Sequence, residues 1–251
     1  MSYKKILLTG STGKLGKAIL RAYDKTKILS PKRDELDLTN KDQMEKYFSS
    51  NDFGVIIHCA ALSKMVKCEE DPVEAIRSNI VGTSNLVEET LKKEKSGNKI
   101  RFLYISTDGV YPGVKGNYSE KDAAIPCSKY GWTKLGGECS VNLLNNFCII
   151  RTSFFDKERA CLFDDAPSDM YESKLEIEDL VNAIIKLINS SFVGTINIGG
   201  KKKSRYELFK KFNSSLKESK FKDVQKSSKV GLAKDSSMNL ELWNKLKDGL
   251  D

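Results

Sequence analysis

The stretch "ILLTGSTGKLGKAIL", residues 6–20, constrains the fold more than any other part of the chain. A short apolar run predicts a strand, Gly10, Gly13 and Gly16 follow at once, and "KLGKAILRAYDK" carries the period of an amphipathic helix. A chain that leaves a strand, turns on glycine and enters a helix presents bare backbone N–H groups at the helix's positive end. That arrangement holds a pyrophosphate, and positions without side chains let the backbone approach it. The spacing is G-x-x-G-x-x-G, one residue longer in its first gap than the standard dinucleotide fingerprint. Its place between strand and helix gives the motif its weight; a purely structural turn is the alternative. Thr12 and Leu15, within the loop, join the three glycines as candidate cofactor contacts.

Further apolar, β-branched runs follow at "KTKILS", "VIIHCAA", "KIRFLYIST" and "FCIIRTS", the last three apolar enough for strands buried on both faces. Helical stretches lie between them, at about 40–49, 71–93 and 128–145. This alternation predicts an α/β fold, a Rossmann-type doubly wound parallel sheet with helices on both faces. Past Arg151 the pattern loosens, and residues 154–174 show charges and Pro167 without a clear period. A helix is expected at "EIEDLVNAIIKLI", a strand at "GTINIGG", and helices near "RYELFKKF" and "LELWNKL". With no internal repeat and no long linker, the expected organisation is one integrated domain. Residues 1–152 form a dinucleotide-binding core, and 153–251 supply the remaining core elements and a small substrate lobe.

The formal net charge of +8 invites a nucleic-acid partner. Yet lysines alternate with acids along most of the chain, and only Lys201–Lys203 form a tight cluster. Neither a helix-turn-helix, nor zinc-finger spacing, nor basic segments interleaved with stacking aromatics occur, so no nucleic acid is expected. A basic surface also suits a small anionic substrate. No apolar run approaches a membrane span or a signal-peptide core, which points to the cytoplasm and to no membrane partner. The six cysteines (59, 68, 127, 139, 148 and 161) include no CxxC pair, and His58 has no histidine partner. No metal site is therefore expected, and reduced, structural thiols are.

Two more segments carry candidate chemistry. "ILSPKRDELDLTN" follows the second strand, where an adenosine ribose would lie. It offers Ser30, Lys32 and Arg33 instead of an acid, which favours the 2′-phosphate of NADPH, with NADH as the alternative. Asp37 could reach the adenine edge beside Leu38, though a turn role competes. In "SKYGWTKLGGE", Tyr130 and Lys134 stand four residues apart, one above the other on a helix face. A phenol is a poor proton donor at neutral pH, and an adjacent ammonium favours its phenolate.

Taken together, "TGSTGKLG", "VIIHCAALSKMVKCEEDPVEAIRSNIVGT", "YISTDGVYPG" and "YGWTK" resemble, in order and spacing, the extended short-chain dehydrogenase/reductases that act on nucleotide sugars. "ELDLTN" and the tail "INIGGKKKSRYELF…KDSSMN" look most like the dTDP-4-dehydrorhamnose reductase branch. The resemblance implies that Thr107 orients the substrate carbonyl, that Tyr130 is the general acid, and that Lys134 bonds the nicotinamide ribose and lowers the tyrosine pKa. It implies that Ala60 and Ala61 pass under the cofactor and that Asn79 is a buried polar position.

Departures narrow the reaction. The 4,6-dehydratases of the superfamily have Asp-Glu after the threonine, whereas Asp108 is followed here by Gly109. Fucose-synthase-type epimerisation needs a cysteine and a histidine; Gly109 stands where the cysteine would be, and His58 sits at a strand end. The implied reaction is NAD(P)H-dependent reduction of a 4-keto-6-deoxy sugar on a nucleotide, with a homodimer as an option. The stretch between "RTS" and the helix at 176–188 is short for the branch, and Leu232-Ala233 replaces its Arg-Pro. The sugar pocket is thus expected to be small, open or completed by another subunit. A non-catalytic dinucleotide-binding regulatory subunit and a nucleotide-sugar epimerase are the alternatives.

Overall fold

The computed structural model describes residues 5–249 apart from 156 and 158–162. Its strands are β1 (Ile6–Thr9), β2 (Ile28–Leu29), β3 (Val55–His58), β4 (Arg101–Ile105), β5 (Phe147–Thr152), β6 (Phe154–Phe155), β7 (Asp165–Pro167), β8 (Tyr171–Glu172), β9 (Leu175–Glu176), β10 (Gly194–Ile198), β11 (Lys203–Ser204) and β12 (Lys217–Ser219). Its helices are α1 (Lys14–Ala22), α2 (Lys41–Ser50), α3 (Met65–Glu70), α4 (Pro72–Ile76), α5 (Gly82–Lys95), α6 (Lys129–Val141), α7 (Ile177–Ile188), α8 (Arg205–Lys210), α9 (Phe221–Ser227) and α10 (Glu241–Lys247).

Six strands form one sheet in the order β10-β5-β4-β3-β1-β2, with every pairing parallel. This is the doubly wound α/β sheet that the alternation predicts. The chain leaves β1 for β2 on one side and returns to β3 on the other. The order reverses there, and a crevice opens at the carboxyl ends of the strands. Successive residues of each strand face opposite layers. Ile6 and Leu8 pack with Ile57, Leu103 and Ile150 against α1 and α7, through Ile19, Leu180 and Ile184. Leu7 packs with Ile56, Phe102 and Ile149 against α2 and α5, through Met44, Phe48 and Leu86. Each fully buried side chain of this size contributes about 1.5–3 kcal/mol.

Three segments differ from the sequence reading. Only Ile28–Leu29 of "KTKILS" is strand, because Asp24 accepts from Thr26 N and starts a 3₁₀ turn at Lys25–Lys27. The helical stretch at 71–93 is composite. Asp71 caps α4 through Glu74 N with Pro72 at the first position, and a π-helical turn at Arg77–Val81 leads into α5. Residues 154–174 are not simply irregular. They contain β6, β7 and β8, which pair with β9, β12 and β11 respectively. Strands of two or three residues are too short to show a period. Around them Ala166, Leu208, Phe209 and Leu216 form a separate small core.

Cys59, Cys68, Cys127, Cys139 and Cys148 are free thiols, Cys127 and Cys139 being exposed; Cys161 lies outside the described residues. Among the described residues no helix is long and apolar enough to cross a membrane.

Candidate functional site

The glycine loop fits its place only without side chains. Gly10 has φ of +74°, and a Cβ there would stand 2.5 Å from the Ala60 nitrogen. A Cβ on Gly16 would come within 2.3 Å of the Gly10 carbonyl oxygen. Gly13 precedes α1, and no side chain caps that helix, which leaves its first N–H groups facing the crevice.

A cavity of about 950 Å³ occupies the carboxyl ends of the sheet and borders the candidate cofactor and catalytic residues, Ser30 excepted. Gly10, Thr12, Gly13, Leu15 and Gly16 form one wall, and Ala60 and Ala61 the floor beside it. Lys32, Arg33, Asp37 and Leu38 border it after β2, and Thr107, Tyr130 and Lys134 border the same space. Arg33 is exposed and lies 3.6 Å from Asp37 and 3.7 Å from Glu74. Asp37 accepts from the backbone and hydroxyl of Thr39 at 2.9 and 2.8 Å, so the turn role weighed against adenine contact is present.

The floor is tied to α6 by one side chain. Asn79, buried in the π-helical turn, accepts from Leu62 N at 2.7 Å and donates to Leu62 O at 3.1 Å. It also donates to Thr133 Oγ1 at 2.9 Å. His58 lies between the hydroxyls of Thr9 (2.7 Å) and Thr83 (2.9 Å), off the cavity. Burial, and then the charge of Lys134, hold it down to about 3, so it is a neutral structural residue.

Ser128 starts α6 by accepting from Gly131 N at 3.2 Å. Tyr130 follows, half-buried, and Lys134 lies one turn further on and fully buried. The Lys134 ammonium sits 3.9 Å from the centroid of the Tyr104 ring, a cation–π contact. Burial pulls Lys134 down to about 7. Tyr130 moves upward, first through burial and then through Asp108 and Cys68. The lowering implied by the resemblance is therefore not a property of the chain by itself. Burial dominates, Asp108 and Cys68 add to it, and the phenol is held in its protonated form.

Thr107, two residues past β4, caps the 3₁₀ turn at Asp108–Val110, accepting from Gly109 N at 3.0 Å and donating to Asp108 Oδ1 at 3.2 Å. The other oxygen of Asp108 accepts from Ser236 Oγ at 2.8 Å. Burial, followed by the charge of Glu172, pushes Asp108 up to about 6 from 3.8. The folded chain thus holds this proton more tightly than the unfolded chain, and its contribution to stability is lost as pH rises from about 4 through about 6. Asp108→Asn is expected to stabilise the fold by roughly 1–3 kcal/mol at pH 8 and by less at pH 4.5. Urea unfolding at the two pH values checks this; equal shifts would show that the carboxyl does not titrate in the fold.

A family model described as the RmlD substrate binding domain matches residues 4–163. The chain belongs to that family. Methionine adenosyltransferase 2 subunit beta of Rattus norvegicus is 30% identical over 152 residues, covering 57% of this chain and 44% of the relative. A dTDP-4-dehydrorhamnose reductase of Aggregatibacter actinomycetemcomitans is 31% identical over 155 residues, 60% of this chain and 51% of the relative. The chain spans about half the length of the curated relatives it matches. Among solved structures, dTDP-4-dehydrorhamnose reductase from Bacillus anthracis in complex with NADP superposes with a TM-score of 0.88 at 24% identity, covering 99% of this chain and 97% of the other. A hypothetical dTDP-4-dehydrorhamnose reductase from Sulfolobus tokodaii does so at 0.85 with 26% identity, covering 96% and 94%.

Sequence reasoning left several cavity residues of this RmlD-family chain without a role. Asp108 was visible in "STDG" but only as half of an absent acid pair. Ser236 reaches it from 128 residues away, with no local signal. Glu172, Lys174 and Arg205 also border the cavity and come from two segments that only the β8–β11 pairing brings together. A lone cation between polar residues gives no hint of such a contact.

Proposed function

We propose that this chain is an NAD(P)H-dependent reductase of a 4-keto group on a nucleotide-linked 6-deoxy sugar. The observation that carries the reading is one cavity shared by the glycine cradle and by Thr107, Tyr130 and Lys134. Gly10 and Gly16 let the turn close against Ala60 and against its own backbone, and the uncapped start of α1 that this leaves on the cavity wall fits a pyrophosphate. Lys32 and Arg33 at the ribose end suit the 2′-phosphate of NADPH, with NADH as the alternative. The likeness to reductases named for dTDP-4-dehydrorhamnose, one solved with NADP, supports the same choice.

When bound, the reduced nicotinamide supplies the hydride. The chain's own residues supply position and a proton. Thr107 turns its hydroxyl to the substrate carbonyl, and Tyr130, kept protonated by its surroundings, gives its proton to the oxygen as negative charge develops there. Lys134 places a cation on the same helix face, which favours the tyrosinate left behind. An epimerase would need a second acid–base pair, and His58, the only histidine, is held between two threonines. We assign the cofactor to residues 1–152 and much of the sugar contact to 153–251, in a cytoplasmic enzyme whose homodimerisation sedimentation would test.

Purified protein with NADPH and a panel of 4-keto-6-deoxy sugar nucleotides should consume the reduced cofactor with at least one of them. No loss of its absorbance with any would end this reading. The likeness to methionine adenosyltransferase 2 subunit beta favours a second one, a cofactor-binding subunit that regulates a partner enzyme. NADPH binding without turnover, together with co-purification of such a partner, would decide for it.

A further inference from the structure

Beyond Asp108 the cavity wall is built by the small lobe, and it carries two cations on one carboxylate. β8 and β11 pair antiparallel, with Lys203 opposite Glu172, and Arg205 N donates to Met170 O at 2.9 Å. This brings Arg205 alongside Glu172, with Nε 3.3 Å from Oε2 and Nη2 2.5 Å from Oε1. Lys174 Nζ lies 2.8 Å from both oxygens of the same carboxylate. Glu172 is buried, and both cations border the cavity beside Phe155 and Phe209.

The charges do not balance within this triad. Glu172 accepts from both cations through both oxygens, so its acceptor capacity is engaged and it serves to hold them in place. Asp108 is near enough to feel the group, but its own hydrogen bonds come from the hydroxyls of Ser236 and Thr107. Withdrawing three ions from water is costly, and a purely structural pair would need only one cation. Asp108 is the other anion within reach of the two cations, and both cations line the cavity where a ligand oxyanion could meet them.

We propose that Lys174 and Arg205, positioned by Glu172, form an anion seat in the substrate part of the cavity. It takes an oxyanion of the substrate, either a phosphate of the nucleotide or a carboxylate on the sugar. This rests on the reductase reading for the word substrate, while the seat itself can be measured without turnover.

The test titrates the whole chain calorimetrically with thymidine diphosphate and with glucuronate, with and without NADP. Lys174→Met and Arg205→Met should each weaken binding of one ligand by about 10- to 100-fold. Arg205→Lys should retain most of it, and NADPH affinity should be unchanged in all variants. A loss confined to thymidine diphosphate assigns the seat to phosphate, and one confined to glucuronate assigns it to carboxylate. Glu172→Gln should weaken the same ligand and steepen its dependence on salt, which a merely structural glutamate would not do. The proposal is overturned if the two Met variants bind both ligands as the natural chain does, or if the natural chain binds neither at millimolar concentration. Absence of NADPH binding would instead remove the reductase reading and leave the anion titrations to stand alone.

Discussion

Tyr130→Phe is expected to lower turnover by about 10²- to 10⁴-fold while leaving NADPH affinity nearly unchanged. The substitution removes one hydroxyl and keeps the ring that fills the cavity wall, so packing and the glycine cradle are untouched. Burial and Asp108 both hold the phenol protonated, which suits a donor whose proton leaves only as the substrate oxygen gains charge. Steady-state reduction and direct cofactor titration separate the two effects. Activity within a few-fold of the natural chain would mean that another group delivers the proton.

Arg151→Met is expected to cost about 3–5 kcal/mol of stability, because it strands a buried carboxylate. Arg151 Nη2 lies 2.7 Å from Glu138 Oε2, and Nε lies 3.1 Å from Oε1, with both side chains nearly sealed from water. The pair is the centre of a longer chain of hydrogen bonds. Ser106 donates to Glu138, Arg151 donates to the Tyr111 hydroxyl at 3.1 Å, and Tyr111 donates to Asn197 at 2.8 Å. Through it the residue that follows β4, next to Thr107, is held together with α6, β5 and β10. Exchanging both partners, Glu138→Met with Arg151→Met, should recover much of the loss, since no uncompensated charge is left. Urea unfolding of the two variants measures this, and equal destabilisation by both would show that the charge itself is not the cause.

The legible parts of this protein are those whose physics is local. The glycine loop announced itself because strand, turn and helix are contiguous, and Gly10 and Gly16 do stand where no Cβ fits. That Tyr130 and Lys134 share a helix face was readable from their spacing, while their roles came only with the resemblance. The state of their protons was not readable, because burial is set by the whole fold: Lys134 lies against Tyr104, thirty residues upstream. The small lobe escaped for a related reason. Its strands are two or three residues long and find partners far along the chain, as β7 finds β12. Arg205 meets Glu172 only through such a pairing, and Ser236 meets Asp108 across the same distance scale.

The double role of Asn79 has a consequence for how such a chain can diverge. The same carboxamide fixes Leu62, next to Ala61 on the cavity floor, and Thr133 of the helix that bears Tyr130. A change that shifts the floor must therefore drag the helix of Tyr130 with it, and selection on either is selection on both. At the other end Asn85 holds Leu38 O at 2.9 Å, but the exposed side chain of Arg33 meets Asp37 and Glu74 at 3.6 and 3.7 Å. On the proposed reading, exchange between the two nicotinamide cofactors is open to substitution of Arg33 itself, while Tyr130 stays in register with the floor.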